Sequence, residues 1–210
     1  MGSAREKTLA AMGETRLGAI IRTQDRALAA EAMRAAVRGG FRMVEFTLTT
    51  PDALGLIAEF SREAGLLVGA GTVMSADEVN QAVDAGAQFI VSPNFDPAVV
   101  SAARKRDVVS VPGTFTPSEM VNAVAAGADV VKLFPSPADI ALYVRQLVGP
   151  LPDIRIFPTA GVTPDNFQAV LAAGAFGVGF VSSLFAPDDM RTRNYAAIER
   201  RAAGIFAQMK

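Results

Sequence analysis

Ala126-Gly127-Ala128-Asp129-Val130-Val131-Lys132-Leu133-Phe134-Pro135 joins a helix end, a turn and a strand. Glycine after an amphipathic, alanine-rich stretch marks the left-handed turn that closes a helix. The apolar run that follows does not alternate with polar residues, so it reads as a strand covered on both faces. The same ending recurs at Ala85-Gly86-Ala87 and Ala173-Gly174-Ala175. Outward from these, β-rich runs fall at 18–21, 43–48, 66–70, 88–91, 108–111, 130–134, 154–157 and 176–181, each followed by a helical pattern. One such pattern runs from Asp25 to Arg38 and another over about 138–148. Helix starts are signalled at Thr50-Pro51, Ser75-Ala76-Asp77-Glu78, Asp96-Pro97, Thr116-Pro117 and Thr163-Pro164 by a capping oxygen with proline or a carboxylate in the first turn. The terminal helix is expected to reach Gln208.

Eight strand–helix units specify a (β/α)₈ TIM barrel: one α/β domain over residues 1–210, with 1–15 a helical extension against its floor. An open doubly wound sheet needs fewer strands and often a glycine-rich first turn, where this chain has Arg22-Thr23-Gln24.

The chain has 210 residues, 50% hydrophobic and 20% charged, enough apolar surface for a sizeable core. Twenty basic against 21 acidic residues leave a formal charge of -1, so neither nucleic acid nor an anionic membrane is an expected partner. Cysteine and histidine are absent. That removes thiolate nucleophiles, the commonest general base and the usual zinc ligands, and leaves carboxylates, lysine, hydroxyls and backbone dipoles to do chemistry. Arg5, Glu6 and Lys7 are followed by few apolar residues, unlike a signal peptide, and no apolar run reaches spanning length; a cytoplasmic location is the expectation.

In a barrel, functional groups gather at the carboxyl ends of strands. Lys132 sits in the sixth apolar run, whereas the other three lysines, Lys7, Lys105 and Lys210, have polar or terminal surroundings. An ordinary lysine at neutral pH is free amine in only about one molecule in 2,500. Desolvation raises that fraction and makes the amine a nucleophile toward a carbonyl; the alternative is a lysine that snorkels to solvent or pairs with a carboxylate. In the second strand a period of two puts Glu45, Thr47 and Thr49 on one side. Glu45 is the best placed acid–base group; a buried ion pair with Lys132 or Arg22 is the structural alternative and does not exclude catalysis, because paired groups tune each other's pKa. Together, Lys132 and Glu45 suggest Schiff-base chemistry on a ketone. Strand ends at Gly69-Ala70-Gly71-Thr72, Ser92-Pro93-Asn94, Pro112-Gly113-Thr114, Pro158-Thr159-Ala160-Gly161 and 177–183 add backbone donors and hydroxyls, or simple tight turns.

In order, Val44-Glu45-Phe46-Thr47-Leu48, Gly69-Ala70-Gly71-Thr72-Val73, Val91-Ser92-Pro93-Asn94, Val111-Pro112-Gly113, Lys132-Leu133-Phe134-Pro135 and Pro158-Thr159-Ala160-Gly161-Val162 resemble the 2-keto-3-deoxy-6-phosphogluconate / 4-hydroxy-2-oxoglutarate aldolase family, from about Gly18 to Ser183. The resemblance implies a class I aldolase barrel, usually a homotrimer, that splits a 2-keto-3-deoxy sugar acid to pyruvate and an aldehyde such as glyceraldehyde 3-phosphate. No metal or cofactor is implied. Lys132 corresponds to the Schiff-base lysine and Glu45 to the proton carrier. Thr72, Pro93, Phe134 and Thr159 correspond to the pyruvate and hydroxyl pocket, Gly161 and Ser182 to the phosphate loops. Thr49 stands where arginine is typical of gluconate-type members. Arg22 is the nearest replacement charge and, with Asn94 and the Lys132–Ser136 run, looks more like the phosphogalactonate branch. Ala160 and Val181 replace glycines of the phosphate loops, which leaves an unphosphorylated 4-hydroxy-2-keto acid open as the substrate. A metal-free isomerase or lyase with Lys132 as an electrostatic stabiliser, and a non-catalytic sugar-acid binding barrel, are the rival readings. Phe206 and Met209 on the terminal helix are candidates for a subunit contact.

Overall fold

A computed structural model describes residues 2–209; Met1 and Lys210 lie outside the described residues. The strands are β1 (Leu17–Ile21), β2 (Met43–Thr47), β3 (Leu67–Gly71), β4 (Phe89–Val91), β5 (Val109–Val111), β6 (Gly113–Thr114), β7 (Val131–Leu133), β8 (Ile156–Pro158) and β9 (Val178–Phe180). The helices are α1 (Ala4–Thr15), α2 (Arg26–Arg38), α3 (Ala53–Phe60), α4 (Ala76–Asp84), α5 (Pro97–Lys105), α6 (Pro117–Ala125), α7 (Ile140–Val148), α8 (Phe167–Ala172), α9 (Pro187–Thr192) and α10 (Tyr195–Ala207). None is long and apolar enough to cross a membrane.

Every strand pair is parallel, in the orders β5-β4-β3-β2-β1-β9 and β6-β7-β8. β5 and β6 are halves of one barrel strand, interrupted at Pro112, which has no N–H to give. The Lys132 N–H still bonds the Pro112 carbonyl at 2.9 Å, and the Phe176 N–H bonds Ile156 O at 2.9 Å beside β8 and β9. These links join the two sheets into the expected eight-stranded barrel.

The strands are apolar on both faces because each faces a separate core. Val44, Phe46, Val68, Ala70, Val131, Leu133 and Phe180 pack outward with the helices. Met43, Phe89, Val91, Val109, Val111, Val130 and Phe157 fill the interior, where Met12 of α1 joins them. Each fully buried phenylalanine of the outer layer, such as Phe41, Phe60 or Phe167, contributes roughly 1.5–3 kcal/mol by leaving water. The Arg5 guanidinium pairs with Asp129, whose other oxygen accepts the Ser110 N–H at 3.1 Å, so α1 is tied to the barrel through a buried carboxylate.

Ser75, Asp96 and Thr116 cap α4, α5 and α6 as expected, and Gly86, Gly127 and Gly174 take φ of 106°, 100° and 109° at the helix exits. Two expected helix starts are displaced. The Thr50 hydroxyl lies 3.3 Å from the Thr47 hydroxyl and accepts the Thr23 N–H at 3.4 Å, so it does not cap α3, which begins at Ala53. At Thr163-Pro164 the Asn166 carboxamide accepts the Thr163 N–H and donates to Gly161 O, bracing a loop, and α8 begins at Phe167. The terminal helical stretch is broken in two, with Arg193 in the left-handed region between α9 and α10. Phe206 is half-buried, its ring 5.1 Å from that of Phe41, and Met209 is exposed.

Candidate active site

The carboxyl ends of β1, β2, β7, β8 and β9 surround a cavity of about 280 Å³, lined by Arg22, Glu45, Thr47, Lys132, Phe134, Thr159, Gly161 and Ser182 among others. Register explains the convergence. Ile20 pairs with Glu45 and Glu45 with Gly69, while Lys132 pairs with Gly113 on one side and Phe157 on the other. Glu45 and Lys132 therefore face each other from opposite walls.

Lys132 is only 8% exposed, which excludes the snorkelling alternative. Burial pushes its ammonium below the ordinary value of 10.5, and Arg22 pushes the same way against the opposing pull of Glu45. Its Nζ lies 4.9 Å from the centroid of the Phe134 ring, which walls the amine from one side. Glu45 is 5% exposed, and burial raises its carboxyl above 4.5 despite the nearby charges of Lys132 and Arg22. Among the described residues the two make no direct ion pair with each other, and Glu45 makes none with Arg22, so the buried-pair alternative is not what forms. Both groups are driven toward their neutral forms, an amine that can attack and a carboxyl that can pass a proton.

The Arg22 Nη2 donates to Thr72 Oγ1 at 3.1 Å, joining the ends of β1 and β3. Thr72 has φ of 59°, a strained setting for a β-branched residue. Thr47 and Thr49 face the same way and their hydroxyls lie 3.0 Å apart; Thr47 lines the cavity, and Thr49 supplies no charge. On the far side, the N–H groups of Gly161, Ser182 and Ser183 have no protein acceptor among the described residues, while the Ser183 hydroxyl donates to Val162 O at 2.6 Å. Gly161 has φ of 73°, and a Cβ there would meet the Ser136 hydroxyl at 2.5 Å, so this loop requires glycine. Ala160 and Val181 line the cavity without filling it. Pro93 and Thr72 do not line it: the Pro93 carbonyl is packed against Gly113, where a Cβ would come within 2.2 Å, and Thr72 meets the site through Arg22. Ile20, Val162, Thr163 and Ser183 also reach the cavity; the period of two marks Thr47, and Val162 and Ser183 lie in the strand-end motifs at 158–162 and 177–183. Among the described residues no three metal-ligating side chains gather.

The family model described as KDPG and KHG aldolase matches residues 9–201. The chain is 37% identical over 191 residues to the 2-dehydro-3-deoxy-6-phosphogalactonate aldolase of Escherichia coli (strain K12), covering 90% of this chain and 89% of that protein. It is 37% identical over 174 residues to a probable 2-dehydro-3-deoxy-6-phosphogalactonate aldolase of Rhizobium meliloti (strain 1021), covering 78% and 81%. A solved native KDPGal structure superposes with a TM-score of 0.82 at 31% identity, covering 91% of this chain and 92% of that one.

Proposed function

This chain belongs to the KDPG and KHG aldolase family, and from that premise we propose how its residues split a phosphorylated 2-keto-3-deoxy sugar acid into pyruvate and glyceraldehyde 3-phosphate. The activity is that of a class I aldehyde-lyase. The observation that carries the assignment of residues is the desolvated Lys132 amine facing the Glu45 carboxyl across one cavity.

Neutral Lys132 attacks the C2 ketone, and the carbinolamine loses water as Glu45 donates a proton to the departing hydroxyl. The resulting iminium is the electron sink. Glu45, now ionised, takes the proton of the C4 hydroxyl; the C3–C4 electron pair moves into the iminium, the aldehyde leaves, and an enamine remains on Lys132. Glu45 returns its proton to C3, and water adds to the new iminium to release pyruvate and the free amine. Arg22 and Thr72 hold the substrate carboxylate, whose charge does not change, so they act by positioning. The Phe134 ring lies along the planar iminium. Thr159 reaches the hydroxyl end. The amides of Gly161, Ser182 and Ser183 take the phosphate, which Ala160 and Val181 leave room for.

Borohydride reduction in the presence of pyruvate tests the assignment: one peptide, containing Lys132, should gain the reduced adduct, and Lys132→Arg should gain none. Adduct on Lys132→Arg would refute it, and no adduct on the unmodified protein would favour the non-covalent isomerase or the binding barrel. The homotrimer belongs to the same proposal, supported by the family resemblance, and predicts about three times the 22.0 kDa chain mass in solution. So does a cytoplasmic location, because a charged phosphate ester made inside a cell stays there.

A further inference from the structure

The Glu45 carboxylate is held in place by shape, since no protein hydrogen bond to it forms among the described residues. Its neighbour across the β2–β3 ladder is Gly69, and two pairs further along the strands Thr47 faces Gly71. Gly69 and Gly71 both face the barrel interior, as their positions alternate with Val68 and Ala70 of the outer core. A Cβ at Gly69 would strike the Phe89 ring at 2.2 Å, which is a packing constraint. A Cβ at Gly71 would fall 1.9 Å from Glu45 Oε1, 2.7 Å from its Cδ and 3.0 Å from its Cγ. The three nearest atoms are all of one side chain.

Gly71 does not have a positive φ, so alanine there is acceptable to the backbone. What glycine provides is vacant space. We propose that Gly71 is a positioning residue: the missing side chain at the end of β3 forms the seat that keeps the Glu45 carboxylate at the level of Lys132. A methyl group there displaces the carboxylate from this seat; on its floor side lies a cavity of only about 10 Å³, lined by Met12, Met43, Phe89, Val91, Val111, Phe157 and Thr159 among others. Thr159 supplies the one hydroxyl in that lining, and a carboxylate moved off the seat is no longer held where it faces Lys132. A misplacement of about 1 Å at a reacting group costs on the order of 100-fold.

The inference rests on Glu45 being the proton carrier, and a double-substitution cycle separates the two claims. Gly71→Ala should lower kcat by about 10- to 100-fold with a smaller change in KM, shift the pH profile of kcat, and still trap pyruvate on Lys132. In a Glu45→Ala background the same change should alter residual turnover less than about twofold, because the displaced group is gone. Melting temperature supplies a readout free of activity: Gly71→Ala should lower it with Glu45 present and leave it unchanged or raise it with Glu45→Ala. Wild-type kcat in Gly71→Ala, or equal losses of kcat and melting temperature in both backgrounds, overturns the seat. If Glu45→Ala alone keeps full kcat, the proton-carrier reading fails, and the melting cycle alone then decides whether Gly71 seats this carboxylate.

Discussion

Arg22, just past β1, and Thr72, just past β3, are linked at 3.1 Å across the end of β2, and the threonine holds φ at 59°. Strain at such a position costs about 1–3 kcal/mol. Thr72→Gly removes strain and hydroxyl together; Thr72→Ala removes the hydroxyl and γ-methyl but keeps a Cβ at positive φ. Thr72→Gly should therefore melt higher than Thr72→Ala, by about 1 kcal/mol in denaturant titration, while both raise KM for the keto acid by about tenfold.

Arg22→Gln should raise KM more than it lowers kcat, by about 10- to 150-fold, since a charged hydrogen bond to an anion is worth roughly 1.5–3 kcal/mol. It should also move the acid limb of kcat/KM. Arg22 pushes the Lys132 value down, so without it Lys132 keeps its proton to higher pH and the limb shifts alkaline. A limb that stays in place would separate Arg22 from the lysine.

The depressed Lys132 also sets a pH dependence of stability. Above 10.5 the amine is neutral in folded and unfolded chains alike. Between the depressed folded value and 10.5 the unfolded chain holds a proton the folded chain lacks, so stability rises with pH, and below the folded value the cost of the buried ammonium is fully present. Lys132→Met lacks this cost. Its melting temperature should exceed that of the parent most at low pH, with the margin shrinking toward pH 10.5.

Asp129 joins Arg5 of α1 to the Ser110 amide. Asp129→Ala should cost about 1–3 kcal/mol and speed proteolysis within α1 before the barrel unfolds. Phe180, edge-on to Phe41 at 5.8 Å and Phe167 at 5.6 Å, is the contrasting case in the outer core: Phe180→Ala should cost about 3–5 kcal/mol in a single unfolding transition.

The barrel was legible because its signals are local or periodic. The helix exits at Gly86, Gly127 and Gly174 and the caps at Ser75, Asp96 and Thr116 depend on nearby chain alone. Lys132 and Glu45 stood out as charges within apolar runs. What escaped depends on partners distant in sequence. The Thr50 hydroxyl matches a helix cap until Thr23 and Thr47 claim it, and Phe206 lies on a mixed helix face until the Phe41 ring arrives beside it. Pro93 occupies an expected strand end yet packs toward Gly113, and the space over Gly71 exists only once β2 and β3 are in register.

Met12 of α1 packs with Phe89 and Phe157 in the barrel interior, and Phe157 stands beside Lys132 in the β7–β8 register. In the proposed mechanism the three-carbon fragment stays bonded to Lys132 after the aldehyde leaves. Release is compulsorily ordered, aldehyde first and pyruvate second, and in synthesis pyruvate must be loaded before any aldehyde can be used.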